Sequence, residues 1–219
     1  MGSSSRGATR KRQARTGVIR GKRGARPSKT SVLILVQGEK TESQYFDGLK
    51  QERDWNKKVS VTVLALPESP DKMAKSGERF LEDYDYVFIV TDFDQFTENQ
   101  FDRARRTAGK KKNKKSNQPR LFIVISYPKF DLWLCAHFKD MRSGCDDRKV
   151  TEVEKKLGIL QSAPQSANKQ SRKHMPDDFP YGDVDKASRN VNIPSYGYWD
   201  EQGSTNIPSM IKMIDSLNS

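Results

Sequence analysis

Four short apolar runs alternate with amphipathic stretches through the first two thirds of the chain. Residues 31–36 (SVLILV), 86–91 (YVFIVT) and 121–126 (LFIVIS) are β-branched and free of charge, as strands buried on both faces of a sheet are. Residues 59–66 (VSVTVLAL) alternate apolar and polar positions, the pattern of a strand with one wetter face. Between the runs, 41–53 carries Tyr45, Phe46 and Leu49 at helical spacing, with Thr41 or Ser43 available as a cap. Helices are also expected over 71–82 and 97–109. A further helix follows Pro128, carrying Phe130, Trp133, Leu134, His137 and Phe138, with Trp133 and Phe138 as core positions and His137 as a satisfied core or surface histidine. A helix over 150–160 comes next, then polar, loop-like sequence over 161–192. Ile207, Met210, Ile211, Ile214 and Leu217 mark a closing helix, with Pro208 in its first turn.

This β-α order, four times over, predicts an α/β fold: a mostly parallel four-stranded sheet of the doubly wound kind with flanking helices. Parallel strands bring their carboxyl ends to one edge, where such folds bind ligands. Here those ends lead into acids. The first run is followed by Glu39 and Glu42, the third by Asp92 and Asp94, the fourth by Asp131. Carboxylates crowded at one edge repel one another unless a cation lies among them, and hard oxygen ligands of this kind suit Mg²⁺ or Mn²⁺. Residues two apart at a strand end share a side, so Asp92 and Asp94 are expected to face one cation, with Glu39 or Glu42 supplying the opposing carboxylate and Asp131 a further contact. A DxD triplet is equally a polar turn after a strand, and Asp131, between Phe130 and Leu132, could pair with a lysine for structural reasons alone.

Charge changes this picture. The chain has 219 residues and a formal net charge of +12. Residues 1–30 hold ten Lys or Arg and no acid, a composition expected to be a disordered basic arm. A second acid-free tract comprises Arg103, Arg105, Arg106, Lys110, Lys111, Lys112, Lys114 and Lys115. Beside an acidic edge, two such tracts point to a polyanion, and the second is expected to track a nucleic-acid backbone, DNA or RNA, without reading its sequence. Lys40, Lys129 or Lys186 would then stabilise developing negative charge. No run approaches the length of a membrane-spanning helix and no signal-peptide core is visible, so a cytoplasmic protein without a membrane is expected. Cys135 and Cys145 are too few for a disulfide framework. With two histidines and no paired CxxC, zinc catalysis and a Ser-His-Asp triad lack material. Three regions result: the arm over 1–30, a core over 31–140, and an extension over 141–219 packed on that core.

Three motifs in order carry a family resemblance. They are Gln37–Glu42 (QGEKTE) with Tyr45-Phe46, the apolar strand ending in Asp92 and Asp94, and Ser126, Pro128 and Phe130–Phe138. Together they resemble the RloB-like family, placed with TOPRIM-type nucleases of bacterial antiviral defence and abortive infection, near the OLD-type nucleases. The resemblance implies a TOPRIM-like Rossmannoid core, Mg²⁺- or Mn²⁺-dependent hydrolysis of phosphodiesters in DNA or RNA, tRNA included, and an ATPase partner encoded nearby. TOPRIM proteins usually have Glu before the Gly that follows the first strand, and Gln37 stands there. Gln keeps the shape and a carbonyl oxygen but loses the charge of a ligand or general base. Either Glu39 compensates, or the site is naturally impaired, or the residue is an inactivating change. The rival reading is a nucleic-acid-binding subunit of a defence complex, on the same fold and without catalysis.

Overall fold

A computed structural model describes residues 29–113, 116–162 and 173–218. The basic arm up to residue 28, Lys114 and Lys115 lie outside them. In chain order the elements are β1 (Thr30–Val36), α1 (Thr41–Glu52), β2 (Val59–Ala65), α2 (Pro70–Phe80), β3 (Tyr86–Asp92), α3 (Glu98–Gly109) and β4 (Leu121–Tyr127). There follow α4 (Asp131–Ala136), α5 (Asp147–Leu157), the two-residue strands β5 (Gln161–Ser162) and β6 (Lys173–His174), α6 (Val184–Arg189), β7 (Ser204–Thr205) and α7 (Ile207–Asn218). The fold is therefore α/β, with seven α-helices among the described residues.

The main sheet has five strands in the order β2-β1-β3-β4-β7. The first four are parallel, and β7 closes the far edge antiparallel to β4, with Ser126 opposite Thr205. This corrects the four-stranded expectation: two residues of strand leave no period to read. What holds β7 is Asn206, wholly buried. Its backbone N–H donates to Ile125 O (3.1 Å), and its side-chain Oδ1 accepts the Ile125 N–H (2.9 Å). Its Nδ2 donates to the carbonyls of Pro194, Ser195 and Tyr198. One amide thus fastens the 194–198 loop to the sheet edge and satisfies backbone groups that would otherwise be buried unpaired.

Alternation along each strand sorts the core into two layers. Val32, Ile34, Val36, Phe88, Val90 and Val124 face α1, α4 and α7, with Tyr45, Phe46, Leu49, Trp133, Met210 and Ile211 among the buried partners. Leu33, Leu35, Val87, Ile89, Ile123 and Ile125 face α2 and α3, meeting Met73, Ala74, Phe101 and Ala104. Both faces of β1 are covered, which is why SVLILV shows no alternation. Removing a large side chain such as Phe46 or Phe101 from these layers is expected to cost about 3–5 kcal/mol.

The region after 140 shares this core, contributing Met141, Val150, Val184, Ala187 and Ile214 to the first layer. The 161–192 stretch, expected to be loop, holds α6, where only Val184 and Ala187 are buried. Six residues are too few to show a helical period. The helix after Pro128 is shorter than expected and Phe138 is 43% exposed, so it is not a core residue; Trp133 is buried. His137 is buried, 3.2 Å from Tyr45 Oη and 3.1 Å from Pro180 O, and burial pulls its pKa down to about 4. It is a neutral structural group. No helix among the described residues is long and apolar enough to cross a membrane.

Candidate active site

From β1 the chain crosses to β2 on one side and then returns to β3 on the other. The carboxyl ends of β1 and β3 therefore flank the point where the winding reverses, the place where such sheets open a crevice. A cleft of about 1000 Å³ lies there. Gln37, Gly38, Glu42 and Asp92 form one side, and the starts of α2 and α3 supply Ser69, Asp71, Lys72, Gln100 and Arg103 on the other.

Asp92 is the last residue of β3. Its Oδ1 accepts the Phe130 backbone N–H at 2.7 Å, so the residue preceding α4 fixes the carboxylate. Burial pushes the Asp92 pKa well above the usual aspartate range; the charge of Glu42 adds to this, and Asp94 and Asp131 contribute further, against the Phe130 amide. Glu42, in the first turn of α1, folds its carboxylate against Gly38, so closely that a Cβ at position 38 would overlap it. Its pKa is also raised, first by burial and then by Asp131, while the backbone amides of Glu42 and Gly38 draw it down. Asp94 lies in the turn beyond the strand, where its backbone N–H donates to Pro128 O (3.1 Å). Burial and Asp147 raise its pKa, Lys129 lowers it, and Asp131 raises it. Asp131, Asp92, Asp94 and Glu42 are therefore in mutual electrostatic reach at one edge.

The arrangement differs from the expected one in two respects. Glu39 is exposed in the turn and does not line the cleft, because α1 starts at Thr41 and the first-turn acid directed inward is Glu42. Asp92 and Asp94 differ in setting: Asp92 lines the cleft and Asp94 does not. Phe93 between them packs its ring on Phe101 (5.4 Å), Tyr127 (5.0 Å) and Trp199 (4.4 Å), and Asp94 turns towards the Lys129–Asp147 pair. Among the described residues no three His, Cys, Asp or Glu side chains group closely enough to cage a metal ion by themselves. Neither Thr41 nor Ser43 caps α1; Lys40 stands at the N-cap without a side-chain bond.

Gln37 is fully engaged. Its Oε1 accepts from Thr91 Oγ1 (2.8 Å) and from the Asp92 backbone N–H (3.3 Å), and its Nε2 donates to Gln95 Oε1 (3.0 Å). It thus steadies the end of β3, where Asp92 sits. Lys129 is mostly buried, 2.5 Å from Asp147 and 2.6 Å from Thr151 Oγ1. Lys40 is exposed, and Lys186 pairs with Asp183 at 3.5 Å, away from the cleft.

The basic tract divides. Arg105 is engaged within the protein: it pairs with Asp102, donates to Gly197 O (2.7 Å), and stacks over Tyr198 (4.7 Å) and Trp199 (5.5 Å). It clasps the 197–199 loop, whose Gly197 has φ +79° and lies against the Arg105 side chain. Lys111 pairs with Glu78, while Arg103 lines the cleft and reaches Asp71 at 3.8 Å. Arg106, Lys110 and Lys112 are exposed. The rest of the cleft lining, with Lys72, Gln95, Phe96 and Gln100, carries no motif that sequence reasoning would single out. Its signal is position alone: each residue lies within about a dozen residues of a parallel strand's carboxyl end.

A family model described as RloB-like protein matches residues 32–214. The chain belongs to the RloB-like family. No curated protein and no solved structure matches it.

Proposed function

We propose that this RloB-like protein is a metal-dependent nuclease of TOPRIM type, cleaving nucleic-acid phosphodiesters in antiviral defence, together with an ATPase of the same operon. The observation that carries the proposal is the pair Asp92 and Glu42. These acids come from different elements, and burial together with neighbouring carboxylate charge, that of Glu42 at Asp92 and that of Asp131 at Glu42, raises both above the usual carboxylate range. Two partly buried carboxylates at one sheet edge, with Asp131 beside them, are unfavourable alone and favourable around a cation. The donor set fits Mg²⁺ or Mn²⁺ in a particular way. Mg²⁺ keeps several waters and is commonly held by one or two carboxylates plus substrate phosphate, so a closed three-carboxylate cage is unnecessary. When bound, such an ion would supply positive charge to the scissile phosphate and a more acidic water.

The chain's own residues then have separable tasks. Asp92 and Glu42 would hold the ion, and the Phe130 amide and Gln37 keep Asp92 in place. Asp131 and Asp94 would orient water around it, and Lys129 limits the net negative charge next to Asp94. Arg103 and Lys72 at the cleft, with exposed Arg106 and Lys110 beyond, would receive the phosphate backbone. The test is cleavage of tRNA and of single-stranded and duplex oligonucleotides with Mn²⁺. Cleavage should vanish with chelator and in Asp92→Ala; cleavage that survives either change refutes the proposal.

One observation favours the second reading, a nucleic-acid-binding subunit without catalysis. Gln37 presents a neutral amide that is hydrogen-bonded inside the protein through both its oxygen and its nitrogen. Gln37→Glu separates the two. A carboxylate there would accept the same Thr91 and Asp92 donors more strongly, and rotation of the Gln95 amide would meet its second oxygen with an N–H. Cleavage gained only in this variant identifies a disabled nuclease; binding without cleavage in both proteins identifies a binding subunit.

A further inference from the structure

Resting on the nucleic-acid reading above, we propose that the cleft receives an unpaired nucleotide, so that the protein selects single-stranded over duplex nucleic acid. Besides Asp92 and Glu42, the lining of the cleft combines three kinds of group. Phe96 is half-buried, anchored edge-on to Phe101 at 6.4 Å, and is one of the residues that line the cleft. Gln95 and Gln100 flank it. Their Oε1 atoms are occupied, by Gln37 Nε2 and by Thr97 respectively, whereas neither Nε2 donates to any described residue. Lys72 and Arg103 stand at the same opening.

Each group has a use only if a base leaves its stack. An aromatic ring can cover a base face when no neighbouring base does, and free amide donors can reach the pairing edge when no partner strand occupies it. A paired base would have to be unstacked first, at a few kcal/mol. A duplex kept intact offers the cleft only its backbone, for which Lys72 and Arg103 suffice and Phe96, Gln95 and Gln100 have no role. At about 1000 Å³ the cleft is at the upper end of the range of small-molecule sites and holds a nucleotide with its phosphate.

The experiment is fluorescence anisotropy with the full chain in chelator, at about 0.15 M salt. The probes are labelled single-stranded DNA, single-stranded RNA and the duplex of the same sequence. The wild type should bind at least one single strand more tightly than the duplex. Phe96→Leu, which keeps apolar packing on Phe101, and Phe96→Ala should each weaken single-strand binding by roughly five- to 150-fold, as loss of one base stack does, and leave duplex binding unchanged. Thermal melts check that both variants fold, and Phe96→Trp should restore single-strand affinity. Duplex binding equal to or tighter than single-strand binding overturns the inference, as does a Phe96 effect common to all probes. Because metal is absent, the outcome is separate from catalysis: selective binding without Mn²⁺-dependent cleavage keeps this inference and removes the nuclease, whereas cleavage of intact duplex without selectivity does the reverse.

Discussion

Replacing Asp92 by Asn should make the metal-free protein more stable, an unusual expectation for a buried charged residue. Burial and the Glu42 charge raise the Asp92 pKa, so the folded protein binds this proton more tightly than the unfolded chain. The resulting penalty is absent below the ordinary aspartate value of about 3.9 and grows as pH rises towards the folded value. Above that it is constant, at about 1.4 kcal/mol for every pH unit that separates the folded and unfolded values. Asn has no charge to bury, and its Oδ1 can still accept the Phe130 N–H that Asp92 accepts at 2.7 Å. Asp92→Ala also removes the charge but orphans that amide, which costs about 1–3 kcal/mol. At pH 7 in chelator, urea unfolding should therefore place Asp92→Asn above both wild type and Asp92→Ala. Its gain should be about 1–3 kcal/mol, the usual penalty for an unmet buried polar group, or roughly 2–4 °C in Tm per kcal/mol. The advantage should shrink as pH falls through the carboxylate range, and added Mn²⁺ should raise the wild type while leaving Asp92→Asn unmoved. An Asn variant less stable than wild type at pH 7, or an advantage independent of pH, would falsify the claim that this carboxylate is held at a cost.

Other perturbations separate the parts of the site. Gly38→Ala places a methyl where the Glu42 carboxylate lies; fluorescence-monitored Mn²⁺ titration should show affinity reduced roughly 10–100-fold, as for lost ligand positioning, with urea stability within about 0.5 kcal/mol of wild type. Arg105→Ala should lower stability by about 1.5–3 kcal/mol through its lost charged hydrogen bonds and leave the salt dependence of nucleic-acid binding unaltered. Arg106→Ala should do the opposite, reducing the salt slope by about one without affecting the melt; the reverse pattern would return Arg105 to the binding surface.

How much of the molecule is legible in its sequence follows from period and length. The four parallel strands and α1, α2, α3 and α7 can be read because each spans enough residues to show an unbroken apolar run, an alternation or a 3.6-residue repeat. The acidic edge can be inferred because parallel strands oblige their ends to meet. Which acids turn inward cannot: Glu39 and Glu42 differ only in their place relative to the start of α1, and element boundaries are weakly encoded. Phe93 packs on Trp199, more than a hundred residues away, while Asp92 lines the cleft and Asp94 does not, and nothing local announces this. Arg105 looks like its basic neighbours because charge patterning does not reveal that Gly197 and Tyr198 lie beneath it. Strand β7 and Asn206 are unreadable for the same reason, since a side chain replaces the backbone periodicity that would mark a strand.

The most direct measurement is Mn²⁺ binding, followed by electron paramagnetic resonance of the purified protein and its Asp92→Asn variant. Wild type should take up the ion at one site and Asp92→Asn should lose it. Equal uptake by both proteins, or none by the wild type with nucleic acid present, would contradict a metal centre built on Asp92 and Glu42.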